Sequence, residues 1–456
     1  MKTVDNIIIG FGKGGKTLAG ALAKAGQSVV LVERSDRMFG GTCINVACIP
    51  TKSLEHSARL SAVQGGGFAE KAERYRAAVE EKRRLTGALR RKNYDKAVGA
   101  GVEVLVGEAS FLDSHRVSVA LSGGGSEELR GERIFINTGA RPFIPPIPGL
   151  ADCGAVYTSE TLMERDELPE RLVIIGGGYI GLEFASYYTN FGSRVTVVQD
   201  GPGFIPREDE EVAAVVLKSL EDRGVRVLRS AAVLGVKDAQ VGAEVTVKTA
   251  EGEEVLPAQA VLVATGRRPN VAGLNLAAAG VELTERGAVK TDEHLRTSVP
   301  HIWAMGDVAG GLQFTYISLD DSRIVKSQLL GDGGRTTQNR GEVPYSVFID
   351  PPLSRVGMTE AEARRRGYDV KIARLSAAAV PKAQVMRRPA GVLKAVVDGA
   401  TGNILGAHFF CAESQEMINL VKLAMDAGLP YTVLRDAIYT HPTMSEALND
   451  LFAAVN

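Results

Sequence analysis

The chain predicts an α/β architecture in which two Rossmann-like βαβ units are followed by a smaller α+β module. Two observations carry this. First, a strand, glycine-turn and helix pattern occurs twice, at Ile7-Ile8-Ile9-Gly10-Phe11-Gly12-Lys13-Gly14-Gly15 and at Val173-Ile174-Ile175-Gly176-Gly177-Gly178-Tyr179-Ile180-Gly181. Each is followed by a helix-compatible stretch and a second apolar strand, residues 29–33 and 195–199, which is the start of a βαβ unit made twice. Second, the pattern changes beyond Gly341. Residues 343–349 and 393–397 read as strands, residues 415–428 and 443–454 as helices, and no glycine-rich phosphate loop occurs there.

A similar coda closes each unit. Asn137-Thr138-Gly139-Ala140-Arg141-Pro142 follows the apolar run 134–136, and Ala264-Thr265-Gly266-Arg267-Arg268-Pro269 follows 261–263. A strand that ends in Thr-Gly and turns at proline reads as the closing edge of a nucleotide domain. The proline-rich stretch 142–148 is then a natural boundary, and Trp303-Ala304-Met305-Gly306-Asp307 is a third marker.

The bulk numbers agree with this division. A chain of 456 residues is too long for one core, and about two to four domains are expected. A hydrophobic content of 45% with 23% charge is ordinary for a soluble globular protein. With 53 basic and 54 acidic residues the formal net charge is −1, so composition points to neither nucleic acid nor an anionic membrane as partner. The basic stretch 71–96 contains Arg83, Arg84, Arg90 and Arg91 but is interleaved with Glu73, Glu80 and Glu81, and reads as a solvated helix face. A strand begins almost at once, leaving no room for a signal peptide, and no apolar run reaches the ~18–20 residues that span a bilayer. A cytoplasmic protein is expected. Four cysteines in so long a chain make no disulfide scaffold; in a reducing compartment a close pair is catalytic or metal-binding.

The glycines have separate tasks. Gly10 permits the tight turn, Gly12 lets the backbone approach a pyrophosphate, and Gly15 lets helix and strand pack closely; Gly176, Gly178 and Gly181 repeat the pattern. Phosphates then sit at the helix N-terminus, where free N–H groups and the dipole favour anions. Glu33 ends its strand where a carboxylate can accept from a ribose hydroxyl. The bland reading, two structural turns that bind nothing, fits poorly with a complete fingerprint found twice. In the second unit Gln199 stands at the carboxylate position, followed by Asp200, and Arg207 is the nearest arginine after the strand. Gln199 can bond a hydroxyl while Asp200 repels a 2′-phosphate, so NADH is favoured, with NADPH the alternative.

The strongest feature is Gly40-Gly41-Thr42-Cys43-Ile44-Asn45-Val46-Ala47-Cys48-Ile49-Pro50-Thr51-Lys52. Two cysteines at this spacing can form a disulfide if the first half-turn is bent. The helix-compatible run 52–63 places Cys48 near a helix N-terminus, where the dipole and Lys52 favour the thiolate. A structural disulfide or half a zinc site are the other readings. No second cysteine pair completes a zinc site, and no metal site is predicted; Cys153 and Cys411 stand alone and read as core or loop residues. Near the C-terminus lies His441-Pro442-Thr443-Met444-Ser445-Glu446. A reacting thiol needs a proton acceptor near neutral pH, which histidine provides, and Glu446 can orient the ring. Taken alone, a single His-Pro is more often a core or capping feature.

With these motifs in order, the chain resembles the pyridine nucleotide-disulfide oxidoreductases over essentially its whole length, the family of dihydrolipoamide dehydrogenase, glutathione reductase and mercuric reductase. The resemblance implies an FAD-binding domain over 1–149 resumed at 270–340, an NAD(P)-binding domain over 150–269, and a dimerisation domain over 341–456. It implies that Cys48 is the thiolate against the flavin and Cys43 the interchange thiol that meets substrate. Lys52 would pair with Glu183 beside the flavin, Tyr179 would gate the nicotinamide pocket, Asp307 would bind the ribityl chain, and Thr315 would lie near the ring. The cofactor set also takes in Gly41, Thr42, Ala109, Thr138, Gly139 and Gly266. His441 and Glu446 would serve the active site of the partner subunit, making the enzyme a homodimer.

The chain ends Phe452-Ala453-Ala454-Val455-Asn456, without the paired cysteines of mercuric reductase or the terminal redox position of large thioredoxin reductases. The wording around Cys43 and Cys48, with Gln313 to Asp321 and Ser445 to Phe452, looks most similar to the RclA-like reactive-chlorine-resistance branch, whose members are associated with reduction of hypothiocyanous acid and copper(II). Ala47 departs from the family's usual glycine; it is small enough to be tolerated and bears on the bend of the loop. The resemblance thus implies an NADH-dependent reductase of a small oxidised-sulfur or chlorine-derived oxidant, with hypothiocyanous acid first and copper(II) second. Dihydrolipoamide dehydrogenase or mercuric-reductase-like activity is the alternative within the family. A non-catalytic flavoprotein scaffold or redox sensor is the alternative outside it.

Overall fold

The apolar runs become parallel strands, and each glycine turn hands one of them to a helix. In the computed structural model, which describes residues 1–456, β1 (Lys2–Ile9) leads into α1 (Lys13–Lys24) and β2 (Val29–Glu33). β1 and β2 pair in parallel, with Asn6 opposite Val29 and Ile9 opposite Val32. Every residue of β2 is buried, which is why it reads as an unbroken apolar run rather than an alternating one. Next come α2 (Thr42–Asn45), α3 (Cys48–Gln64) and α4 (Phe68–Val98). The basic stretch lies on α4, where Arg83, Arg84, Arg91, Glu73, Glu80 and Glu81 are exposed and form the solvated face. Tyr75, Val79, Lys82 and Thr86 form a buried stripe at helical spacing, so one face is covered.

The chain continues through β3 (Glu103–Phe111), β4 (Arg116–Leu121), β5 (Ser126–Ile136) and the short β6 (Ala140–Pro142). The second unit follows as β7 (Val156–Thr158), α5 (Ser159–Leu162), β8 (Arg171–Ile175), α6 (Tyr179–Phe191), β9 (Arg194–Val198), α7 (Glu210–Asp222) and β10 (Arg226–Leu228). An antiparallel set, β11 (Ala232–Asp238), β12 (Ala243–Thr249) and β13 (Gly252–Ala258), precedes β14 (Ala260–Val263). The parallel sheet runs β10-β9-β8-β14-β7. The chain then returns to the first sheet through β15 (Arg267–Pro269), paired with β6, and β16 (Ile302–Ala304), parallel to β5, before α8 (Thr315–Leu330).

The C-terminal module comprises β17 (Tyr345–Val347), β18 (Leu353–Gly357), α9 (Glu360–Arg365), β19 (Val370–Ser376), α10 (Pro381–Val385), β20 (Val392–Asp398), β21 (Ile404–Phe410), α11 (Ser414–Asp426), α12 (Tyr431–Asp436) and α13 (Ala447–Ala453). Its antiparallel sheet runs β17-β18-β21-β20-β19. The expected final helix starts at Ala447 rather than at residue 443. The Thr443 N–H donates to Glu446 Oε1 at 3.1 Å and the Glu446 N–H returns to Thr443 Oγ1 at 3.3 Å, a reciprocal cap that holds the preceding turn.

Two compact units result. One comprises residues 1–53, 79–143 and 266–340, the other residues 54–78, 144–265 and 341–456. In the first, period-two alternation splits the sheet's side chains between two faces. Ile7, Ile9, Ile134 and Ile136 lie on one, while Ile8, Leu31 and Phe135 meet Leu18 and Leu22 of α1 and Ile324 of α8 on the other. In the second, Phe409 and Val397 pack with Met417 and Val421 of α11 and Leu451 and Phe452 of α13. No helix is long and apolar enough to cross a membrane.

The two codas have a steric role. A Cβ on Gly10 (φ +105°) would stand 2.4 Å from Asn137 O, and one on Gly176 (φ +111°) 2.4 Å from Ala264 O. Each glycine turn therefore rests directly on the backbone that leads into Thr-Gly, which is why fingerprint and coda recur together. Gly10→Ala and Gly176→Ala are each expected to cost about 1–3 kcal/mol from the strained φ, with further cost from the backbone contact, seen as lowered urea midpoints.

Candidate functional site

The loop that carries the cysteines is built on glycine. Gly40 and Gly41 have φ of +98° and +83°, and a Cβ on Gly41 would stand 2.6 Å from Gly12 Cα. The loop thus lies against the backbone of the first fingerprint, where only glycine fits. Cys43 falls in the short α2, Val46 and Ala47 break the helix, and α3 begins at Cys48. The bend that the spacing requires is therefore at Val46-Ala47. Pro50 sits in the first turn of α3, where its missing N–H costs no helical bond. Asn45, buried, donates to Gly41 O at 2.9 Å and Phe39 O at 3.1 Å, and accepts from Arg90 Nε at 2.8 Å. Lys16 Nζ donates to Gly40 O at 3.1 Å and Asn93 Oδ1 at 2.6 Å, and burial pushes its amine down to about 8.

Cys43 and Cys48 are each partly buried. Its hydrogen bond to Cys48, followed by burial, pushes the Cys43 thiol far above the usual range. Cys48 lies at the start of α3, where the helix dipole favours a thiolate. Cys48 Sγ is 3.5 Å from Thr315 Oγ1. Lys52, one turn into α3, donates to Thr51 Oγ1 at 3.3 Å, and Glu183 Oε1 accepts from the Phe348 N–H at 2.9 Å. Cys153 and Cys411 are buried; the Cys153 thiol donates to Asp238 Oδ1 at 3.2 Å, and burial pushes the Cys411 thiol up to about 12. No group of three or more His, Cys, Asp or Glu side chains is placed to hold a metal ion.

His441 and Glu446 are brought together. Nδ1 of His441 is 2.8 Å from Glu446 Oε2, and this contact holds the carboxyl below the usual carboxylate range. The imidazole is well exposed, with a side-chain exposure of 69%. With Nδ1 so engaged, Nε2 is the ring nitrogen left for another partner.

In the first glycine turn, Gly12 and Gly15 both border Asn137. Its Oδ1 accepts from the Gly15 N–H at 2.8 Å, and its Nδ2 donates to Met305 O at 2.6 Å and Ser318 Oγ at 3.3 Å. Glu33 accepts the Phe11 N–H at 2.9 Å and the Ser35 N–H at 3.3 Å, while burial pushes its carboxyl up. Burial also raises Asp307, whose turn is pinned by the Gly306 N–H donating to Asp321 Oδ2 at 2.7 Å. Thr138 Oγ1 donates to Asn270 O at 2.8 Å, and Thr42 borders Gly139. Ala109 lies in β3 opposite Val119 with its side chain in the core, so it offers only backbone to a ligand.

In the second turn Gly181 packs directly on Gly176 O, and Gly178 caps α6 at its N-terminus. Gly266, at φ +105°, turns the chain after β14. Tyr179 opens α6, its hydroxyl donating to Glu208. Gln199 is turned inward. Its amide donates to Gly203 O at 2.5 Å and Gly201 O at 3.0 Å, and Oε1 faces Gly177. Arg229 stands exposed one residue beyond β10, whose Leu228 is level with Val198 of β9. It is thus a neighbour of Gln199 that a search along the sequence after β9 does not reach.

The pyridine nucleotide-disulphide oxidoreductase family matches residues 4–322, and the family's dimerisation domain matches residues 343–452. The chain belongs to this family. It is 48% identical to the probable pyridine nucleotide-disulfide oxidoreductase RclA of Escherichia coli over 100% of both chains. It is 36% identical to a mercuric reductase of Streptomyces lividans, covering 97% of this chain and 94% of that one. Against a dihydrolipoyl dehydrogenase of Mycobacterium tuberculosis the figure is 33%, covering 99% and 98%. The solved structure described as the HOCl-induced flavoprotein disulfide reductase RclA from Escherichia coli superposes with a TM-score of 0.92 at 48% identity, covering 99% of this chain and 100% of that one. Its Cu(II) complex does so with 0.93 at 48%, covering 99% of each.

This family member is accordingly an FAD-dependent oxidoreductase that uses NAD(P)H and carries a C-terminal dimerisation domain. Its residues fit the cofactor. Glu33 and Asp307 are carboxyls raised by burial, each suited to a hydroxyl-bearing chain, and α1 opens from a turn whose glycines admit no side chain. Sequence reasoning did not single out Asn137, Asn45, Arg90, Lys16 or Asp321. Asn137 lies within the first coda, yet nothing in its spacing reveals that it ties the glycine turn to residues 305 and 318. Asn45→Ala removes both donated bonds and leaves buried carbonyls short of partners. It is expected to cost about 1–3 kcal/mol in urea denaturation and to lower turnover with FAD content retained.

Proposed function

We propose that the enzyme is an NADH-dependent reductase of hypothiocyanous acid, with Cys43 as the thiol that meets the oxidant and Cys48 as the resolving thiol. The observation that carries this reading is the asymmetry of the pair, in which the proton is held on Cys43 beside a sulfur at a helix N-terminus. Bound FAD supplies the two-electron link between the dinucleotide and the Cys43–Cys48 disulfide. The division implied by the motifs is kept, with the FAD domain over 1–149 and 270–340, the NAD(P) domain over 150–269 and the dimerisation domain over 341–456.

In the dithiol state Cys43 must lose its proton to react, because its pKa is raised. His441, oriented through Nδ1 by Glu446, is the base assigned to it, acting on the partner subunit's thiol in a homodimer. Cys43 Sγ attacks the electrophilic sulfur of the oxidant, forming a mixed disulfide with thiocyanate, and the hydroxide takes up a proton and leaves as water. Cys48 Sγ then attacks Cys43 Sγ, releasing thiocyanate and closing the disulfide. Lys52 with Glu183, and Tyr179, Thr315 and the glycine turns, serve the cofactors. The supply of NADH places this chemistry in the cytoplasm. NADPH stays the alternative, since Asp200 repels a 2′-phosphate whereas exposed Arg229 attracts one. Copper(II) is the second acceptor, favoured by the Cu(II) complex of the similar Escherichia coli protein.

Steady-state NADH oxidation with hypothiocyanous acid, hydrogen peroxide, lipoamide, oxidised glutathione and copper(II) tests the substrate. Hypothiocyanous acid should give the highest kcat/KM, and a preference for lipoamide would overturn the reading in favour of a dihydrolipoamide dehydrogenase. Anaerobic NADH should develop long-wavelength absorbance that Cys48→Ser abolishes and Cys43→Ser keeps while losing turnover. Absence of that absorbance in the parent enzyme would point to a scaffold or sensor. His441→Gln is expected to lower turnover about 10²–10⁴-fold, with flavin reduction by NADH preserved.

A further inference from the structure

Tyr179 is the first residue of α6, directly after the second glycine turn, and its hydroxyl does not face open solvent. It donates to Glu208 Oε1, and Tyr345, from β17 of the C-terminal sheet, donates to the same oxygen at 2.6 Å. The two hydroxyls are 3.3 Å apart and the rings 5.7 Å apart at 31°. Glu208 itself is 6% exposed, and its second oxygen, Oε2, is buried with no hydrogen-bond partner. A carboxylate so placed depends on whatever donors it has. Arg355 supplies opposite charge beside Tyr345 and is itself tied to Arg207 O and, at 2.6 Å, to Glu362 Oε2.

Two further facts mark the arrangement as more than packing. Ile205, buried three residues before Glu208, has φ +37°, a left-handed conformation costly for a β-branched residue, and its carbonyl accepts the Glu208 N–H at 2.9 Å. The fold therefore carries strain in the segment that presents Glu208. Burial and the neighbouring carboxylate push both phenols far above their usual range, so both remain donors at any working pH.

We propose that Glu208 is a positioning residue for the dinucleotide step: its carboxylate latches Tyr179 closed at the glycine turn, and Tyr345, sharing the same oxygen, sets how tightly. This rests on the reading of Tyr179 as the gate of the nicotinamide pocket. Closure by the latch lowers the fraction of enzyme ready to bind, and apparent affinity falls by that fraction. One hydrogen bond to a charged acceptor corresponds to about a tenfold change in such an equilibrium. Two donors on one oxygen weaken each other, so removing Tyr345's hydroxyl strengthens the bond from Tyr179.

The test uses holoenzyme with NADH and ferricyanide as acceptor, which reads the dinucleotide step without the disulfide or its oxidant. Tyr179→Phe, which removes the bond, should raise kcat/KM for NADH about tenfold through KM. Glu208→Gln, which leaves only a neutral amide oxygen as acceptor, should raise it by less, and the double variant should add nothing to Tyr179→Phe. Tyr345→Phe should move KM in the opposite direction. Damage to the fold cannot raise kcat/KM, and Tyr179→Phe, which keeps the ring, covers the case in which Glu208→Gln fails to fold. Unchanged or raised KM in both Glu208→Gln and Tyr179→Phe overturns the latch. If Tyr179→Ala shifts KM for NADH while those two are silent, the latch alone falls. If Tyr179→Ala leaves KM where it was, the gate reading falls and the latch with it.

Discussion

The contact on which the site depends is between two backbones. Gly41 lies so close to Gly12 that a single added carbon would stand 2.6 Å from its Cα. This joins the loop that carries the redox cysteines to the turn that receives a dinucleotide, with no side chain between them. Gly41 is therefore required twice over, by its φ of +83° and by space, and Gly12 by space, since a Cβ there would stand 2.6 Å from Asn137 Oδ1. Around this contact the chain places its polar ties. Lys16, one residue past Gly15, grips the Gly40 carbonyl, and Asn137 holds the Gly15 N–H from the other side. A shift of the fingerprint is thus felt by the cysteines.

From that anchored start the asymmetry of the thiols follows. The break at Val46-Ala47 ends one short helix and begins another at Cys48, so Cys48 opens a helix of 17 residues while Cys43 lies in one of four. Ala47 in place of the family's usual glycine does not prevent the bend, because the break requires no positive φ at that position. Asn45 and Arg90 hold the first helix in place. The hydrogen bond to Cys48, followed by burial, raises the Cys43 thiol.

What the sequence made legible was whatever the backbone demands locally. Gly10 and Gly176 announce themselves because no other residue fits at φ above +100° against a neighbouring carbonyl, and the two codas recur for the same steric reason. The Cys43–Cys48 spacing and the His441–Glu446 pair are local in the same sense. What stayed illegible depends on residues distant in the chain. Lys82 reads as a solvated charge until the α4 stripe is seen to be covered. Gln199 is placed at its strand end by the sequence, but the bonds of its amide to Gly201 and Gly203 are not visible there. Arg229 adjoins Gln199 only because β10 lies beside β9, an adjacency that sheet order creates and spacing cannot show.

His441 brings the local and the distant together. Its imidazole is oriented as tightly as a working base requires, Nδ1 fixed by a carboxylate that is itself held by the Thr443 N–H, yet its side chain is 69% exposed. Orientation of an exposed ring has a cost in side-chain entropy, and an exposed contact returns little for it. The arrangement makes physical sense if a second surface covers the exposed imidazole and gives its Nε2 a partner. Cys43 presents the complementary need, a thiol whose proton its own surroundings hold in place. In a family whose C-terminal domain is a dimerisation domain, the surface that can supply one group to the other is that of a second copy of the chain. On the proposed reading, the redox pair would be set by the backbone of one subunit and its reactivity by the histidine of the next.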